Sequence, residues 1–332
     1  MLRGANFLAE SFMSSPAHSH PGKDLGYDVY GVPPDGSLWK ALRILVIFLP
    51  PLGVLVAMVA LWGGWFRPVD FALFAVIYLA TGFGITVGFH RLFTHRSFKT
   101  SPAVVWTLGI LGSMAIEGPL GWWVATHRRH HRHSDEADDP HSPHAGRLPG
   151  WSGKLKALLH AHVGWSFRGD CTDTDLRRYA PDILADERLM KINRLFPVWV
   201  IAGLVLPAFV GWLVEPTWRG ALLGLLWGGL VRVFMVHHVT WSVNSICHTW
   251  GSRDHDTDDE SRNNFWVGVL ALGEGWHNNH HAFPTSARHG LHWWQLDTSW
   301  LLIRLLAVSG LARDIKTAKP HGTPLPRHDS GA

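Results

Sequence analysis

Cysteine and charge are both scarce in this sequence. Only two of the 332 residues are cysteines, Cys171 and Cys247, and they do not form a Cys-x-x-Cys pair. A disulfide-stapled secreted fold and a zinc site built on thiolates are therefore disfavoured, and chemistry that faces the cytosol is favoured. Charged residues make up 17% of the chain, whereas about 25% is usual in soluble proteins. This shortage points away from an ordinary soluble domain.

Several catalytic and targeting motifs are absent as well. The sequence has no His-Glu-x-x-His, no Gly-x-Ser-x-Gly and no Gly-rich dinucleotide-binding loop, which disfavours a zinc protease, an elbow-type serine hydrolase and a dinucleotide-binding domain. No basic start followed by an apolar run is present, so no signal peptide is expected. Residues 1–37 and 317–332 are polar, and we expect them to be flexible tails around one domain, 38–316.

Apolar residues, by contrast, make up 47% of the chain. Four stretches hold roughly the 20 residues that a membrane-spanning helix needs, and they cover residues 41–62, 71–89, 197–214 and 220–243. The connectors inside each pair are short, so the stretches predict two helical hairpins. The 19 tryptophans suit a membrane interface. The predicted fold class is therefore an all-α integral membrane protein with four transmembrane helices and a cytosolic helical cap.

A fifth apolar stretch, residues 102–123, is interrupted by Glu117-Gly118-Pro119-Leu120-Gly121, which is typical of an interfacial helix rather than a span. Orientation follows from the basic residues. The hairpin connectors contain one each, Arg67 and Arg219, whereas the segment from His90 to Phe196 contains fifteen. The positive-inside rule therefore places this central segment, and with it both termini, in the cytoplasm.

Histidine is the most unusual feature, with 23 residues. Most of the notable ones fall in three clusters, of the forms His-x-x-x-x-His, His-x-x-His-His and again His-x-x-His-His, and a weaker Asn-x-x-x-His element follows the fourth span. The residues are His90 and His95; His127, His130 and His131; His277, His280 and His281; Asn244 and His248.

The spacing has a physical reason. On a helix, positions i+3 and i+4 bracket the direction of position i, so His-x-x-His-His presents three imidazoles on one face. Imidazole binds zinc, copper, iron and nickel, and nine imidazoles are too many for one ion but fit two. A single cluster could be a basic surface run; two identical clusters and a third argue against that. All of them lie on one side of the membrane only if residues 102–123 do not cross it.

These clusters resemble the three histidine boxes of membrane fatty acid desaturases, and their flanks resemble the acyl-CoA, stearoyl-CoA 9-desaturase-like branch. The matching segments are Gly88 to Phe98, His127 to His141, Asn244 to Gly251 and Gly273 to Pro284, and the resemblance covers about 38–316. The resemblance implies a cap that holds two Fe²⁺ ions through nine histidines and one asparagine, the asparagine binding through a water molecule. The implied ligands are His90, His95, His127, His130, His131, Asn244, His248, His277, His280 and His281.

The resemblance also implies the activity. The expected enzyme is an oxidoreductase that uses molecular oxygen to introduce a cis double bond, at the delta-9 position, into a saturated long-chain acyl-CoA in unsaturated fatty acid biosynthesis. No catalytic side chain is expected beyond the metal centre. A separate ferredoxin, flavoprotein reductase or cytochrome must deliver electrons, and no nucleic acid is involved. Basic residues of the cap are candidates for binding the CoA phosphates: Arg91, Arg96, Lys99, Lys154 and Lys156.

Several alternatives stay open at this point. The chain could be an acyl-lipid desaturase, a di-iron hydroxylase, or a membrane metal-binding protein or transporter. Arg91 and Arg96 could instead pair with structural carboxylates. His237 and His238 lie inside the fourth span, where ionisable groups are costly and often functional, but they could also be packing residues. Asp135 and Asp139 are candidates to orient ligating imidazoles.

Overall fold

The computed structural model describes residues 37–145, 149–167, 171 and 173–318. Both predicted tails lie outside these residues, apart from Ser37, Thr317 and Ala318. The regular structure of the described chain is helical except for one two-stranded antiparallel ribbon and two isolated β-bridges. The helices are α1 (Ser37–Trp62), α2 (Pro68–Phe83), α3 (Pro102–Met114), α4 (Leu120–His133), α5 (Gly150–His162), α6 (Asp173–Tyr179), α7 (Pro181–Ala185), α8 (Glu187–Arg194), α9 (Phe196–Val214), α10 (Trp218–Gly224), α11 (Arg232–Ser245), α12 (Phe265–Leu270), α13 (His277–Ala282) and α14 (Thr298–Val308).

Two helices continue in a wider, π-helical form. The segment Gly84–Thr94 extends α2, and Leu225–Val231 joins α10 to α11. A short 3₁₀ turn, Gly164–Phe167, follows α5. The ribbon pairs β1 (Lys99–Thr100) with β2 (Ala312–Arg313), with Lys99 opposite Arg313. It ties the chain end that follows α14 to the segment just after the first histidine cluster.

Four helical stretches of the described chain are long and apolar enough to cross a membrane: Ile44–Trp62, Pro68–Thr94, Phe196–Val214 and Trp218–Ser245. This confirms the predicted four spans and two hairpins. The second span runs beyond its predicted end at residue 89, because the π-helical segment continues the helix to Thr94. The first span passes through Pro50 and Pro51 without a break in the helix.

The fifth apolar stretch does not form a span. Helix α3 has 13 residues, about 20 Å at 1.5 Å per residue, which is short of the roughly 30 Å hydrocarbon core. The side chain of Ser101 caps its first turn by accepting a hydrogen bond from the backbone N–H of Val104. The turn to α4 contains Ile116 and Gly118 at positive φ, so the predicted interruption is where the chain changes direction.

The tips of the two hairpins lie together. Arg67, in the first connector, forms ion pairs with Asp70 at 2.6 Å and with Glu215 of the second connector at 2.7 Å. His90 lies near the opposite end of the second span. The spans therefore carry their short connectors at one end and the histidine clusters at the other.

The second hairpin is packed very closely, and glycine makes this possible. A Cβ atom on Gly211 would lie 2.3 Å from the carbonyl oxygen of Gly220, and one on Gly224 would lie 2.2 Å from that of Pro207. Helices in membranes associate largely through such small-residue contacts, because lipid provides no hydrophobic driving force between them.

A fully buried arginine lies inside the fourth span. Arg232 donates hydrogen bonds to the carbonyl oxygens of Met114 at 2.7 Å, Gly203 at 2.8 Å and Gly228 at 3.2 Å. These acceptors belong to the end of α3, to α9 and to its own helix. One side chain thus connects both spans of the second hairpin to α3.

The apolar core of the cap lies between the π-helical end of α2, α4 and the short helices α6 to α8. Phe89, Val124, Leu176 and Ile192 are among its buried members. Burying each such side chain contributes about 1.5–3 kcal/mol. This core fixes the position of α4 against the end of α2.

Candidate metal centre

The first histidine cluster depends on the π-helical segment. In an α-helix, residues five apart point about 140° away from each other. In this segment the backbone N–H of His95 bonds to the carbonyl oxygen of His90 at 3.1 Å, an i→i+5 bond that stacks the later residue over the earlier one. The two imidazole rings consequently lie 4.8 Å apart, centroid to centroid.

The second and third clusters lie on α4 and α13 and distribute their imidazoles in reciprocal ways. At about 100° per residue, i+4 lies about 40° from i, whereas i+3 lies about 60° away on the other side. His127 and His131 of the second cluster therefore join one group, and His130 joins another. In the third cluster His277 and His281 join the group of His130, while His280 joins the first.

Two groups of histidines result, each with its donor nitrogens within 4.8 Å of one another. The five-histidine group contains His90, His95, His127, His131 and His280. The four-histidine group contains His130, His248, His277 and His281. All nine predicted histidines are thus brought together.

The Nε2 atoms face each other at distances that suit metal binding. In the five-histidine group, the Nε2 atom of His280 lies 3.1 Å from that of His90 and 2.9 Å from that of His131. In the four-histidine group, the Nε2 atom of His277 lies 3.1 Å from those of His248 and His281. Nitrogens held 2.0–2.1 Å from one ion at right-angled to tetrahedral positions would be roughly 2.9–3.4 Å apart. The residues therefore fit two ions.

Four carboxylates determine which ring nitrogen faces inwards. In each case the carboxylate lies against the Nδ1 atom of one histidine. The four pairs are Glu274 with His90 at 2.5 Å, Asp139 with His130 at 2.9 Å, Asp135 with His248 at 3.0 Å, and Asp259 with His281 at 2.5 Å. A carboxylate accepts the Nδ1 proton, which leaves the Nε2 lone pair of the neutral ring pointing into the group. The Nε2 atom of His95 is buried and has no hydrogen-bond partner. This is expected of a nitrogen whose lone pair would bind a metal ion.

The electrostatics agree with neutral imidazoles among anionic carboxylates. Burial, and then neighbouring imidazoles, lower the pKa well below the ordinary value for five histidines, which are His95, His127, His131, His277 and His280. Burial alone would raise the pKa of Asp139, but His130 outweighs it and lowers that pKa. His130 differs from these five histidines: burial lowers its pKa, yet Asp139 and two further carboxylates raise it overall. A cation at its Nε2 atom would compete with that proton.

A buried ionic network supports the five-histidine group. Arg91 is fully buried and forms ion pairs with Glu274 and with Asp297, the latter at 3.1 Å. Glu274 also holds His90 and lies 3.5 Å from the Nδ1 atom of His289. Asp297 accepts the backbone N–H of His289 at 2.7 Å. Arg91 therefore pairs with carboxylates, which leaves it no role in binding CoA phosphates.

Arg128 fixes α4 against the first cluster. Its guanidinium donates to the carbonyl oxygens of Phe93 at 2.8 Å and Thr94 at 3.1 Å, and it pairs with Asp182 at 2.6 Å. Because His127 precedes Arg128 and Thr94 precedes His95, these bonds set the first two clusters relative to each other.

An apolar cavity that is partly open to solvent lies against both groups. His90 and His127 of the five-histidine group and His277 of the four-histidine group line it. The remaining lining residues are Tyr78, Gly82, Ile85, Thr86, Trp123, Val236, Val239, Thr240, Val243, Asn244, Leu270, Ala271, Leu272 and Glu274. Along α2 the wall extends twelve residues from Tyr78 to His90, at most about 18 Å. This apolar lining suits an aliphatic chain that passes beside the histidines.

The other predicted residues have diverse positions. Asn244 lines the cavity but belongs to neither histidine group. His237 is buried and faces the carbonyl oxygens of Ala115 and Ile116, both at 3.1 Å, so it packs rather than lining the cavity. His238 faces His162 at 3.0 Å.

The basic residues proposed to meet CoA phosphates are arranged differently. Arg96 pairs with Asp182 and Lys99 with Asp314, although both basic side chains remain mostly exposed. Lys154 and Lys156 are exposed on α5.

Sequence reasoning missed two residues of the site, the supporting carboxylates Asp259 and Glu274. Glu274 lies three residues before His277, within a Gly-Glu-Gly-Trp-His run, and this proximity was the available signal. Asp259 sits in a run of acidic residues that resembles a solvated loop. Neither partner assignment is visible without the fold.

Comparison with known proteins gives a consistent result. A sequence profile of the family described as "Fatty acid desaturase" matches residues 70–312. The chain is 43% identical over 279 residues to the hex-5-enoyl-[acyl-carrier protein] acetylenase of Moorena producens, with 83% of this chain and 86% of that protein covered. It is 40% identical to the sn-1 stearoyl-lipid 9-desaturase of Anabaena variabilis (73% and 81% covered) and 39% identical to the acyl-CoA C20 delta5-desaturase of Anemone leveillei (75% and 73% covered).

Proposed function

This chain belongs to the fatty acid desaturase family, and from that premise we propose that it introduces a cis double bond, at the delta-9 position, into the saturated acyl chain of a long-chain acyl-CoA. The observation that carries the proposal is the apolar cavity that is lined by members of both histidine groups. A saturated chain lying in it would present two neighbouring methylenes to the metal-binding nitrogens. We assign the activity to one domain, residues 38–316.

The proposed ligands are the nine histidines of the two groups, with Asn244 contributing through water. We propose iron as the metal, because imidazole suits it and because oxidising an alkyl chain needs a redox-active ion. Two iron ions at this centre would supply, from molecular oxygen and two electrons, the oxidant that dehydrogenates the methylenes.

The side chains of this protein position and shield the reacting atoms. Trp123 lines the cavity and stacks on His127, with ring centroids 5.0 Å apart and nearly parallel planes. Val236, Val239 and Val243 form an aliphatic wall along α11. They exclude water from the segment to be oxidised and hold the chain in one register. No side-chain acid, base or nucleophile is needed.

The electrons come from outside this domain in our proposal. A ferredoxin, a flavoprotein reductase or a cytochrome would deliver them to the cap. We place the cap and both termini in the cytoplasm, which is supported by the fifteen Lys and Arg residues between His90 and Phe196 against one in each hairpin connector.

A second candidate substrate is an acyl chain esterified in a membrane lipid. Two curated relatives, from Anabaena variabilis and Synechocystis, are named sn-1 stearoyl-lipid 9-desaturases. The structure adds a specific observation, because Leu270 lines the cavity, is half exposed, and is bonded through its carbonyl oxygen to Tyr78 of the second span.

The test is a product assay in a host that lacks this activity. The wild type, a His277→Ala/His281→Ala double variant and a His133→Ala variant are expressed, and cellular fatty acids are profiled by mass spectrometry. His133 is the matched control, because it lies on α4 outside both groups and contacts Tyr179 and Glu136. A new cis monoene in the wild type and the control, lost in the double variant, supports the proposal.

A second assay, with purified protein and a reductant system, distinguishes the two candidate substrates when each is supplied with a labelled saturated acyl chain. A labelled monoene formed from acyl-CoA supports the first candidate. A labelled monoene formed only from phospholipid or glycolipid supports the second. A hydroxylated product would assign the centre to hydroxylation. No product from either pool, with iron bound and reductant present, would contradict the proposal.

A further inference from the structure

A large apolar surface lies outside the four spans. It is formed by exposed side chains of α12, of the loop before α14 and of α14 itself, and we refer to it as the 265–308 face. Its members are Phe265, Trp266, Leu270, Trp293, Trp294, Leu296, Leu301, Leu305 and Val308. Exposed apolar patches of this kind usually mark an interaction surface.

The parts of the 265–308 face are joined by buried contacts. The indole of Trp276 lies between the Phe265 ring, 6.2 Å away, and the Trp294 ring, 5.5 Å away, and its Nε1–H donates to the carbonyl oxygen of Leu296 at 2.8 Å. The backbone N–H of Ser299 donates to the carbonyl oxygen of Leu272 at 3.0 Å. The first turn of α14 is thereby fixed to the end of α12.

Helix α14 is strongly two-sided. Ile303 is fully buried, whereas Leu301, Leu305 and Val308 are exposed at positions i, i+4 and i+7, which form one narrow stripe on a helix. Its only charged residue is Arg304, and a long arginine side chain can keep its charge in water while its helix lies on an apolar surface.

Both helices are attached to the second membrane span. The hydroxyl of Tyr78 donates to the carbonyl oxygen of Leu270 at 2.7 Å, and the hydroxyls of Thr86 and Ser299 lie 2.7 Å apart. Tyr78 and Thr86 belong to the span Pro68–Thr94. These contacts hold the elements that carry the 265–308 face against a helix long and apolar enough to span a membrane. The face is also rich in tryptophan, which concentrates at membrane interfaces.

We infer that the 265–308 face lies in the leaflet on the histidine side of the membrane, with α12 and α14 in its interfacial region and their exposed side chains among the lipid chains. The bilayer is the occupant that the attachment to the second span and the aromatic composition favour. Because Leu270 belongs to this face and also lines the cavity, lipid lies directly against the outer side of the cavity wall.

Site-specific photo-crosslinking tests this inference without using activity. p-Benzoylphenylalanine replaces Trp266 (74% exposed) or Leu305 (61% exposed) in the full chain, reconstituted in phosphatidylcholine–phosphatidylglycerol nanodiscs. Phe48, 61% exposed on the first span, is the lipid-facing reference. Glu136, whose side chain is 69% exposed on the turn after α4, is the reference in water.

After irradiation, adducts are mapped by mass spectrometry. Phospholipid adducts at positions 266 and 305, in yields comparable with position 48 and absent at position 136, are the expected result. Adducts at position 48 alone would overturn the inference. Crosslinks at 266 or 305 to a second copy of the chain would also overturn it and would identify the face as a protein interface.

Discussion

Replacing Asp139 by asparagine should empty the four-histidine group of metal and leave the five-histidine group loaded. The Asp139 side chain is fully buried. Its Oδ2 atom accepts hydrogen bonds from the Nδ1 atom of His130 and from the backbone N–H of Asp135, both at 2.9 Å, and its Oδ1 atom accepts the backbone N–H of His141 at 3.0 Å. Asparagine has the same shape but only one acceptor oxygen and no charge.

The size of the effect follows from these contacts. With its oxygen towards His130, the amide would point its NH₂ group at the backbone N–H of His141. With the opposite orientation, it would point NH₂ at Nδ1–H of His130. In either case a charge-assisted hydrogen bond, roughly twice as strong as a neutral one, is lost. Removing the partner of a ligating histidine typically lowers metal affinity by about 10–100-fold, which is about 1.4–2.8 kcal/mol.

The assay is metal stoichiometry of the purified protein by inductively coupled plasma mass spectrometry, during titration with a competing chelator. Asp139→Asn should lose one of two ions at a chelator concentration that leaves the wild type loaded. Asp186→Asn is the matched control, because Asp186 pairs with Arg188 at 2.7 Å at the start of α8 and touches no imidazole of either group. Equal retention in Asp139→Asn and the wild type, or equal loss in both variants, would refute the assignment of Asp139.

Three further predictions follow from other parts of the structure. Tyr78→Ala should enlarge the part of the cavity that is remote from His90. It should raise the preference for longer over shorter acyl chains by about fourfold per added methylene, at 0.8 kcal/mol each, whereas Tyr78→Phe should not. If competition assays gave the same ratio of long-chain to short-chain product for Tyr78→Ala and the wild type, Tyr78 would not limit the length of the bound chain. Removing metal should lower the free energy of unfolding by about 2.7 kcal/mol for each ion that had been present at 100 times its Kd. Scanning fluorimetry would detect this as a fall in Tm that Fe²⁺ reverses. An unchanged Tm after verified metal loss would contradict the assignment of the two histidine groups as metal sites. Burial raises the pKa of Asp182, but Arg128 and Arg96 outweigh burial and hold that pKa at about 2, below its ordinary 3.8. This carboxylate therefore stabilises the fold above pH 3.8, and its contribution is lost as the pH falls towards 2. Unfolding curves measured across this pH range should show the loss in the wild type and not in Asp182→Asn.

The sequence predicted the parts of the fold and site that depend on local periodicity. The length of each apolar run determined the four spans, and the Glu117 to Gly121 interruption correctly indicated that α3 stops short of crossing. The His-x-x-His-His spacing predicted three imidazoles on one helical face. The same spacing also determines how each cluster is shared between the two histidine groups, because the i+3 side chain diverges from the side chains at i and i+4. That sharing becomes evident only when the structure shows the second and third clusters facing each other.

The rest depended on contacts between residues distant in sequence. Glu274 and His90 are 184 residues apart, and Asp259 and His281 pair across a segment that contains α12. Those pairings depend on how the cap folds over the spans. The His90/His95 pair was predicted as a ligand pair without a reason for its spacing, because the switch from α- to π-helix after Phe83 has no simple sequence signature. Arg91 was equally suited to a phosphate or a carboxylate until its complete burial was known.

The buried guanidinium of Arg232 has a consequence for how the protein is made. A spanning segment with arginine near its middle is inserted at a cost of about 2.5–3.5 kcal/mol on translocon scales. Two of the three carbonyl acceptors of Arg232, on Met114 and Gly203, are available to offset that cost only when α3 and α9 are already in contact with the fourth span. The last span should therefore leave the translocon stably only alongside its earlier neighbours. Ribosomal truncations that end just after Ser245 should integrate poorly when Arg232 is present but α3 is deleted, and Arg232→Leu should remove that dependence. The residue would then act as a checkpoint in membrane integration, rejecting chains whose first half has not assembled.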